Sequence, residues 1–235
     1  MAKKRTRKRR NFIGKWILRL VAIVLLLTIL PVLALRWLPP PTTSFMVQAR
    51  LGALGTHARC NKVNYQWLPM KQISRHAAVA VIASEDQLFS QHWGFDFKAI
   101  GHVLEGGEQR GASTISQQVA KNLFLWPERS WVRKGLEAYL TAWIELAWDK
   151  QRILEVYLNT AQFGPCTFGV TAAAKQYFNK DVSALNLNES ALLATVLPNP
   201  YRMNPSKPSA YMLERVQWIE SQVAQLGGTA HLEAW

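Results

Sequence analysis

Hydrophobic residues follow a helical spacing along most of the chain from about residue 73 onward, because apolar side chains recur every three or four positions. This spacing predicts an Ala-rich helix in ISRHAAVAVIASED, which ends near Glu85. Thr114 and Gln117 have the separation of a capping box and predict that another helix begins in GASTISQQVAKNLF. Alternating strand patterns are scarce, so the predicted fold class is mainly α.

The same periodicity predicts further helices toward the C-terminus. One continuous helix is expected in VRKGLEAYLTAWIELAWDKQRILEVYLNTAQFG, where Gly164 and Pro165 stop it. A second is expected in GVTAAAKQYF, and a third in NESALLATVLPNP with Asn188 as its N-cap. The last, in SAYMLERVQWIESQVAQLGG, is expected to end at the glycine pair 227–228.

An apolar run near the N-terminus predicts a membrane-spanning helix at residues 16–38. The uncharged stretch Leu20–Leu35 is shorter than the ~20 residues that cross a bilayer. Arg19 and Arg36 at its ends can extend their charges outward, and tryptophans beside them suit the interfaces. We expect the proline run 39–41 to end this helix. A cleaved signal peptide is the alternative, but arginine, tryptophan and three prolines follow the small residue where cleavage would occur.

Charge is distributed unevenly along the chain. The 235 residues contain 28 Lys+Arg and 15 Asp+Glu, for a net charge of +13, and the first cations precede every acidic residue. By the positive-inside rule the N-terminus lies in the cytoplasm, and everything after Pro39 lies outside. A basic tail on the far side of the membrane from the domain argues against nucleic-acid binding. The predicted parts are a basic cytoplasmic tail (1–15), a transmembrane helix (16–38), a linker and membrane-proximal segment (39–72) and a catalytic domain (73–235).

The chain has two cysteines, Cys60 and Cys166. A compartment outside the cytoplasm permits a disulfide between them, but two unpaired thiols are the expected state. The sequence contains no C-x-x-C motif and no His/Cys ligand set, so we predict no structural metal site.

Glu85 is the first candidate for chemistry. A carboxylate at a helix C-terminus meets the negative end of the helix dipole, and apolar neighbours desolvate it. Both effects favour the protonated form, which suits a general base, and a buried Asp86 would add to them. The alternative is a solvated acid at a helix end. His92 and Asp96 are predicted to be structural, with His92 bonding a turn and Asp96 capping DFKAIGHVL.

A second candidate site is the polar and cationic stretch RGASTISQQVAKNLFLWPERSWVRK. Arginine can bind phosphate oxygens in pairs and lysine acts as a mobile point charge, so this stretch favours a phosphate-bearing ligand. A solvated basic face is the alternative, and the spacing of a P-loop is absent. The candidate residues are Ser113, Gln117, Gln118, Lys121, Asn122, Arg129, Arg133 and Lys134.

Glu137 completes the candidate set. It follows Arg133 by four residues and Lys134 by three, so the three side chains share one helix face. An ordinary helix salt bridge explains this spacing without any function. The apolar surroundings nevertheless suggest partial burial, and a carboxylate paired with cations fits a site for a phosphate-bearing substrate.

These stretches, in this order, resemble the motifs of the family-51 glycosyltransferases, the peptidoglycan glycosyltransferases. EDQLFSQHWGFD is similar to the family pattern E-D-x-x-F-x-x-H-x-G-x-D, and GASTISQQVAKNLFL to G-x-S-T-I-x-Q-Q-x-x-K-N-L. RKGLEAYLTAWIELAWDKQRILEVYLN is similar to the third motif, with Asp149 where Ser is usual, and FGVTAAAKQYFNKDVSALNLNESALLATVLPNPYRMNPSK to the fourth. The resemblance covers roughly Thr42 to Met212. No S-x-x-K or K-T-G motif occurs, so we expect a member without a transpeptidase domain.

The resemblance implies a lysozyme-like helical head with a small membrane-facing jaw. It implies polymerisation of lipid II into β-1,4-linked glycan strands, with inversion at the anomeric carbon and release of undecaprenyl diphosphate. Glu85 would be the catalytic base and Glu137 the second catalytic carboxylate, which orients the cations or the leaving group. Lys121, Arg129, Arg133 and Lys134 would bind the diphosphate. Weaker assignments to substrate binding fall on Asp86, Ser113, Gln117, Gln118 and Asn122.

The expected partners are lipid II, the growing lipid-linked glycan chain, the membrane and proteins of cell-wall synthesis or division, with no nucleic acid. The expected location is the bacterial inner membrane, with a periplasmic catalytic domain. No cofactor is required, although a divalent cation such as Mg²⁺ or Mn²⁺ would suit the diphosphate. Two rival functions stay open: a lytic, glycan-cleaving lysozyme-like enzyme, and a non-catalytic membrane scaffold of the wall machinery.

Overall fold

The computed structural model describes residues 2–52, 59–98, 101 and 113–233. The chain divides into two compact units, residues 1–38 and residues 39–235. The first unit contains helix α1, Ala2–Leu35, in which Leu18–Leu35 has a mean hydropathy of 2.7 and is long and apolar enough to cross a membrane. The helix is assigned up to Leu35, and a hydrogen-bonded turn at Arg36–Leu38, in which the Leu38 amide donates to the Ala34 carbonyl at 3.1 Å, continues it to the residue before the proline run 39–41.

The second unit is mainly α-helical, which confirms the predicted fold class. Its longer helices within the described residues are α2 (Ser44–Leu51), α3 (Arg75–Glu85), α4 (Ile115–Phe124), α5 (Trp131–Ala147), α6 (Lys150–Thr160), α7 (Val170–Phe178), α8 (Leu187–Val196) and α9 (Ala210–Gln225). Short 3₁₀ helices occur at Met70–Gln72, Val182–Ala184 and Gly228–Glu233. Residues 39–72, predicted as a linker and membrane-proximal segment, contribute α2 and one strand to this unit.

Three very short strands form one sheet at the edge of this unit. They are β1 (Asn64–Tyr65), β2 (Gln162–Gly164) and β3 (Thr167–Phe168). The order is β1-β3-β2, with β1 parallel and β2 antiparallel to β3. Asn64 pairs with Thr167, which brings the segment after α2 beside the β2–β3 turn.

The core lies around α3. Every residue from Ala77 to Ala83 is buried, because small alanines let neighbouring helices approach the whole circumference. α8 and α9 pack against α3, and α4 packs between α5 and α6. α3 therefore carries Glu85 out of the core at its C-terminal end, next to α4.

The helix predicted from residue 132 to 163 is two helices, which corrects the sequence interpretation. α5 ends at Ala147, Trp148 is extended with φ −116° and ψ 147°, and α6 begins after Asp149. The Asp149 carboxylate accepts a hydrogen bond from the Arg152 amide at 2.7 Å. Because aspartate stabilises a helix start more than a helix interior, this N-cap separates two segments with the same apolar period.

The start of α8 also differs from the prediction. Asn186, not Asn188, is the N-cap, and its side chain accepts from the Glu189 amide while Glu189 accepts from the Asn186 amide. A capping box of this kind requires Glu three residues after the N-cap, and of the two asparagines only Asn186 is followed by Glu at that distance.

Cys60 and Cys166 form a disulfide, so the expectation of two unpaired thiols is wrong. The bond joins residues 106 positions apart in the sequence. Cys60 precedes β1 and Cys166 directly precedes β3, and these two strands pair in parallel. Strands of two residues are too short to show an alternating pattern in a sequence. The strand pairing that brings the two cysteines together could therefore not be predicted from the sequence.

Candidate active site

Glu85 is the last residue of α3, and its carboxylate faces α4. Gln118 Nε2 donates to Glu85 Oε2 at 2.8 Å, and the Ser84 hydroxyl donates to Glu85 Oε1 at 3.3 Å. Burial raises the pKa of the Glu85 carboxyl, while the Gln118 and Ser84 hydrogen bonds and the charges of Arg215 and Lys121 lower it. A carboxylate that is desolvated but still stabilised in its ionised form is suited to accept a proton.

Asp86 connects α3 to α4 and is buried. Its Oδ2 accepts from the Ile115 amide at 2.9 Å, and its Oδ1 contacts His92 Nε2 at 2.8 Å. The Nδ1 atom of His92 accepts from the Gly94 amide at 3.1 Å. Both Asp86 oxygens are therefore engaged in joining the turn after α3 to the first residue of α4. His92 bonds a turn, as the sequence predicted.

Asp96 also caps its own segment, since its carboxylate accepts from the Lys98 amide at 3.0 Å. Most of the helix that Asp96 was predicted to begin lies outside the described residues, as does Gly111 at the start of the second motif.

The start of α4 is fixed by the predicted capping box. The Thr114 hydroxyl accepts from the Gln117 amide, and Gln117 Oε1 accepts from the Thr114 amide. The Thr114 hydroxyl also donates to the Gly94 carbonyl at 2.7 Å. Gln117 is buried in this cap, so its carbonyl oxygen is committed to the helix start, and its assignment to substrate binding stays a prediction.

A cleft of about 600 Å³ opens between α2, α4 and α5. Its polar lining brings together all four cationic residues of the candidate site. The lining residues are Phe45, Ser113, Lys121, Pro127, Arg129, Ser130, Trp131, Arg133, Lys134 and Glu137.

Glu137 lies at the floor of this cleft, buried on α5. Arg133 Nη1 donates to its Oε2 at 2.6 Å, and Lys134 Nζ pairs with its Oε1. Arg133 Nε further donates to the Glu128 carbonyl at 2.8 Å, and Lys134 Nζ donates to the Ser113 hydroxyl at 3.3 Å. The predicted shared helix face is present, and Glu137 fixes two cations in the cleft wall.

Lys121 interacts electrostatically with both carboxylates. Its ammonium group stands 5.5 Å from the ring centroid of Phe45, which α2 contributes. Burial lowers the pKa of Lys121, and the charges of Glu137 and Glu85 raise it while Arg133 and Lys134 lower it further. The electrostatic field of both acids therefore reaches this one ammonium group.

Arg129 and Asn122 differ in their access to the cleft. Arg129 is exposed at the rim, whereas Asn122 is buried and does not line the cleft. In LFLW, the segment next to the cationic residues, Leu123 and Leu125 are buried and belong to the core, while Trp126 is partly exposed.

The sequence interpretation missed three side chains at this site. Phe45 and Tyr157 reach it from α2 and α6, and the Tyr157 hydroxyl donates to Gln118 Oε1 at 3.0 Å. Arg215 on α9 stacks 3.9 Å from the Trp218 ring centroid, and its Nη2 reaches the Ser84 carbonyl at 3.5 Å. Tyr157 belongs to a quoted motif, so its position there was a usable signal. Phe45 and Arg215 have no local pattern that marks them.

The described residues do not form a metal site around the cleft. No group of three His, Cys, Asp or Glu side chains that could hold a metal ion occurs among them. Both Glu137 oxygens already accept from cationic side chains. The donor set is suited to bind an anion through protein cations.

Comparison with known proteins decides the family. The sequence model described as Transglycosylase matches residues 52–224, which is more than half of the chain. The chain belongs to the transglycosylase family. This match includes both carboxylates and the cleft-lining cations.

Relatives in the family are similar over nearly the whole chain, and each is named a biosynthetic peptidoglycan transglycosylase. The protein of Pectobacterium carotovorum subsp. carotovorum (strain PC1) is 48% identical over 95% of this chain and 93% of its own length. That of Ectopseudomonas mendocina (strain ymp) is 49% identical over 92% and 90%. That of Pseudomonas entomophila (strain L48) is 51% identical over 86% of both chains. The alignments with these three relatives thus each cover at least 86% of this transglycosylase.

Proposed function

We propose that this transglycosylase is a peptidoglycan glycosyltransferase that polymerises lipid II into β-1,4-linked glycan strands. The observation that carries the proposal is that α4 contributes both Gln118, which donates to Glu85, and Lys121, which lines the cleft with the Arg133–Glu137–Lys134 cluster. A proton acceptor and a cationic cleft, joined through one helix, are what a sugar transfer from a diphosphate donor requires. The family and the names of the relatives support the same reaction.

In the proposed step, Glu85 takes the proton from the 4-hydroxyl of the acceptor sugar. The hydroxyl oxygen forms a bond to the anomeric carbon of the growing chain, on the face opposite the leaving group. The bond from that carbon to the diphosphate oxygen breaks, and undecaprenyl diphosphate departs with the bonding electron pair. Single displacement inverts the configuration from α to β. The proton leaves Glu85 for solvent before the next cycle.

The cationic cleft stabilises the negative charge that develops on the diphosphate. Lys121, Arg133 and Lys134 are held in place before the substrate arrives, so they need not reorganise during the reaction. Arg129 at the rim adds a mobile charge. Glu137 keeps two of these cations in position and does not take a proton in this proposal.

The location that supports this reaction is the inner membrane, with the N-terminus in the cytoplasm and the catalytic unit in the periplasm. The cationic N-terminal tail favours this orientation. The disulfide between Cys60 and Cys166 favours an oxidising compartment for the catalytic unit. A lipid-linked substrate also requires an enzyme that stays at the bilayer, which α1 provides.

Product analysis tests the proposal. Detergent-solubilised protein is incubated with labelled lipid II, and separately with preformed glycan strands, and the products are separated by size. Long strands and free undecaprenyl diphosphate from lipid II, with preformed glycan left intact, are the expected result. Shortened glycan with unreacted lipid II would establish the lytic function instead. No reaction with either substrate, in folded protein, would favour a scaffold.

A further inference from the structure

Tyr157 is connected to the candidate base through a second side chain, that of Gln118. It is 1% exposed on α6, and its hydroxyl donates to Gln118 Oε1 at 3.0 Å. Gln118 on α4 in turn donates through Nε2 to Glu85 Oε2 on α3 at 2.8 Å. Three helices therefore contribute one continuous chain of hydrogen bonds that ends at the carboxylate.

The chemistry of the three groups fixes the direction of this chain. An ionised carboxylate only accepts hydrogen bonds, so the Gln118 amide must turn its NH₂ group toward Glu85. Its carbonyl oxygen then faces Tyr157, whose hydroxyl must donate. Burial, and after it the charges of Glu85 and Asp86, raises the pKa of Tyr157 well above its usual value. The hydroxyl therefore keeps its proton and stays a donor throughout the range in which the enzyme works.

We propose that Tyr157 is a positioning residue for the base: its hydroxyl fixes the Gln118 amide in the orientation that donates to Glu85. This proposal rests on the proposed function, which assigns Glu85 as the base. Without the hydroxyl, the amide can turn its carbonyl oxygen toward Glu85. That orientation accepts a hydrogen bond from the protonated carboxyl and repels the ionised one, so it favours the wrong protonation state.

Several other groups also interact with Glu85 and influence its pKa. Ser84 contributes its hydroxyl from α3, Lys121 its charge from α4 and Arg215 its charge from α9. Asp86 acts on Tyr157 from the turn after α3. Among the hydrogen bonds of the described residues, the one from Tyr157 is the bond that reaches the carbonyl oxygen of Gln118. The charged groups shift the pKa of Glu85 but do not select the orientation of the amide.

The test is the pH profile of lipid II polymerisation by Tyr157→Phe. We expect kcat to fall about tenfold with KM nearly unchanged, because the loss concerns a hydrogen bond to a charged group. We expect the acid limb of kcat/KM to move up by about one pH unit, since loss of the Gln118 hydrogen bond raises the pKa of Glu85. A profile identical to that of the unsubstituted protein would overturn the proposal.

Tyr177→Phe is the matched control. The Tyr177 hydroxyl donates to the Phe163 carbonyl at 3.0 Å, so its removal also deletes one hydrogen bond of a partly buried tyrosine. Tyr177 is not a member of the hydrogen-bond chain, and its variant should keep the acid limb of the unsubstituted protein. A shift of equal size in both variants would mean that general loosening of the fold explains the result.

A double-mutant cycle with Gln118→Leu separates a role through Gln118 from a direct one. If Tyr157 acts through the amide, Tyr157→Phe should add no further loss in the Gln118→Leu background. Fully additive losses would overturn the proposal. Gln118 is only partly buried, so its variant can be measured even if Tyr157→Phe does not fold. An unshifted acid limb in Gln118→Leu alone would also overturn it.

Glu85→Gln, measured in parallel, distinguishes a failure of the positioning proposal from a failure of the proposed function. Polymerisation by Glu85→Gln would contradict the assignment of the base. An inactive Glu85→Gln beside a Tyr157→Phe enzyme with an unchanged profile would leave the function intact and remove the positioning role.

Discussion

The pKa of Glu85 is determined by opposing effects of its surroundings. Burial favours the neutral acid, while the Gln118 amide, the Ser84 hydroxyl and two cations favour the carboxylate. The result is a raised pKa in a group that must ionise to serve as the proposed base. An ionised carboxylate in these surroundings costs stability, and this cost can be measured separately from activity.

The first prediction concerns stability at neutral pH. Because the folded-state pKa of Glu85 is raised, the unfolded chain loses this proton at lower pH than the folded protein does. Stability therefore falls as the pH rises from the usual glutamate value through the raised one. Glu85→Gln has no proton to lose, so its free energy of unfolding should exceed that of the unsubstituted protein at pH 7. Urea unfolding in detergent at pH 4 and pH 7 measures this, and a less stable variant at pH 7 would contradict it.

The second prediction separates the two arginines of the cleft. Arg129 is exposed at the rim, whereas Arg133 is buried against Glu137. Arg129→Gln should lower kcat/KM for lipid II about tenfold and leave stability unchanged. Arg133→Gln should lower activity and also cost about 3 kcal/mol, because it leaves buried Glu137 with one partner fewer.

Steady-state kinetics and urea unfolding of the two variants provide the comparison. Equal effects of both substitutions on stability would mean that the Arg133–Glu137 pair contributes nothing to the fold. Full activity in Arg129→Gln would show that Arg129 does not contribute to the proposed diphosphate site.

Among the elements, the junction between α3 and α4 determines the geometry of the site. Asp86 accepts from the first amide of α4 and from His92, while Thr114 caps α4 and also bonds Gly94. The end of the helix that carries Glu85 is thus joined to the start of the helix that carries Gln118 and Lys121. A shift of one helix relative to the other would separate the proposed base from both Gln118 and Lys121.

The third prediction follows from this junction. Asp86→Ala should lower the free energy of unfolding by about 2 kcal/mol, since it leaves the buried Ile115 amide without an acceptor. The exposed Asp181 also accepts a backbone amide, that of Ser183, at a helix start, so Asp181→Ala is the control and should change stability little. Thermal unfolding of both variants measures the difference. Equal losses of stability in the two variants would show that Asp86 contributes no more to the fold than an exposed helix cap.

Much of this arrangement could be predicted from the sequence, and the exceptions have physical causes. The capping box at Thr114, the burial of the α3 helix and the shared face of Arg133 and Glu137 depend on spacing within one element. The break at Asp149 was missed because a single N-cap interrupts an apolar period that continues on both sides. Tyr157, Phe45 and Arg215 reach the site from distant elements, and such meetings depend on tertiary packing that no local pattern records.

For the molecule as a whole, the disulfide is a covalent long-range constraint that the sequence interpretation did not expect. Cys60 follows α2, which carries Phe45 to the cleft, and Cys166 lies in the turn between β2 and β3. The bond closes a loop that contains α3 to α6, and with them both carboxylates. Closing a long loop restricts the unfolded chain and so stabilises the folded one.

The fourth prediction concerns this bond. The paired substitution Cys60→Ala with Cys166→Ala should lower the free energy of unfolding by about 4 kcal/mol, as expected for a loop of this length. Dithiothreitol should lower the unfolding temperature of the unsubstituted protein toward that of the variant, and leave the variant unchanged. An unsubstituted protein that is indifferent to reductant, with its bond shown to be reduced, would contradict the prediction.

If Glu85 is the base of a lipid II polymerase, its replacement must stop strand synthesis in folded protein. Detergent-solubilised protein, its Glu85→Gln variant and a Glu214→Gln control, which alters an exposed carboxylate on α9, are each given labelled lipid II. We expect long glycan strands from the unsubstituted protein and the control, and none from folded Glu85→Gln. Strands of normal length and rate from Glu85→Gln would show that another group takes the proton.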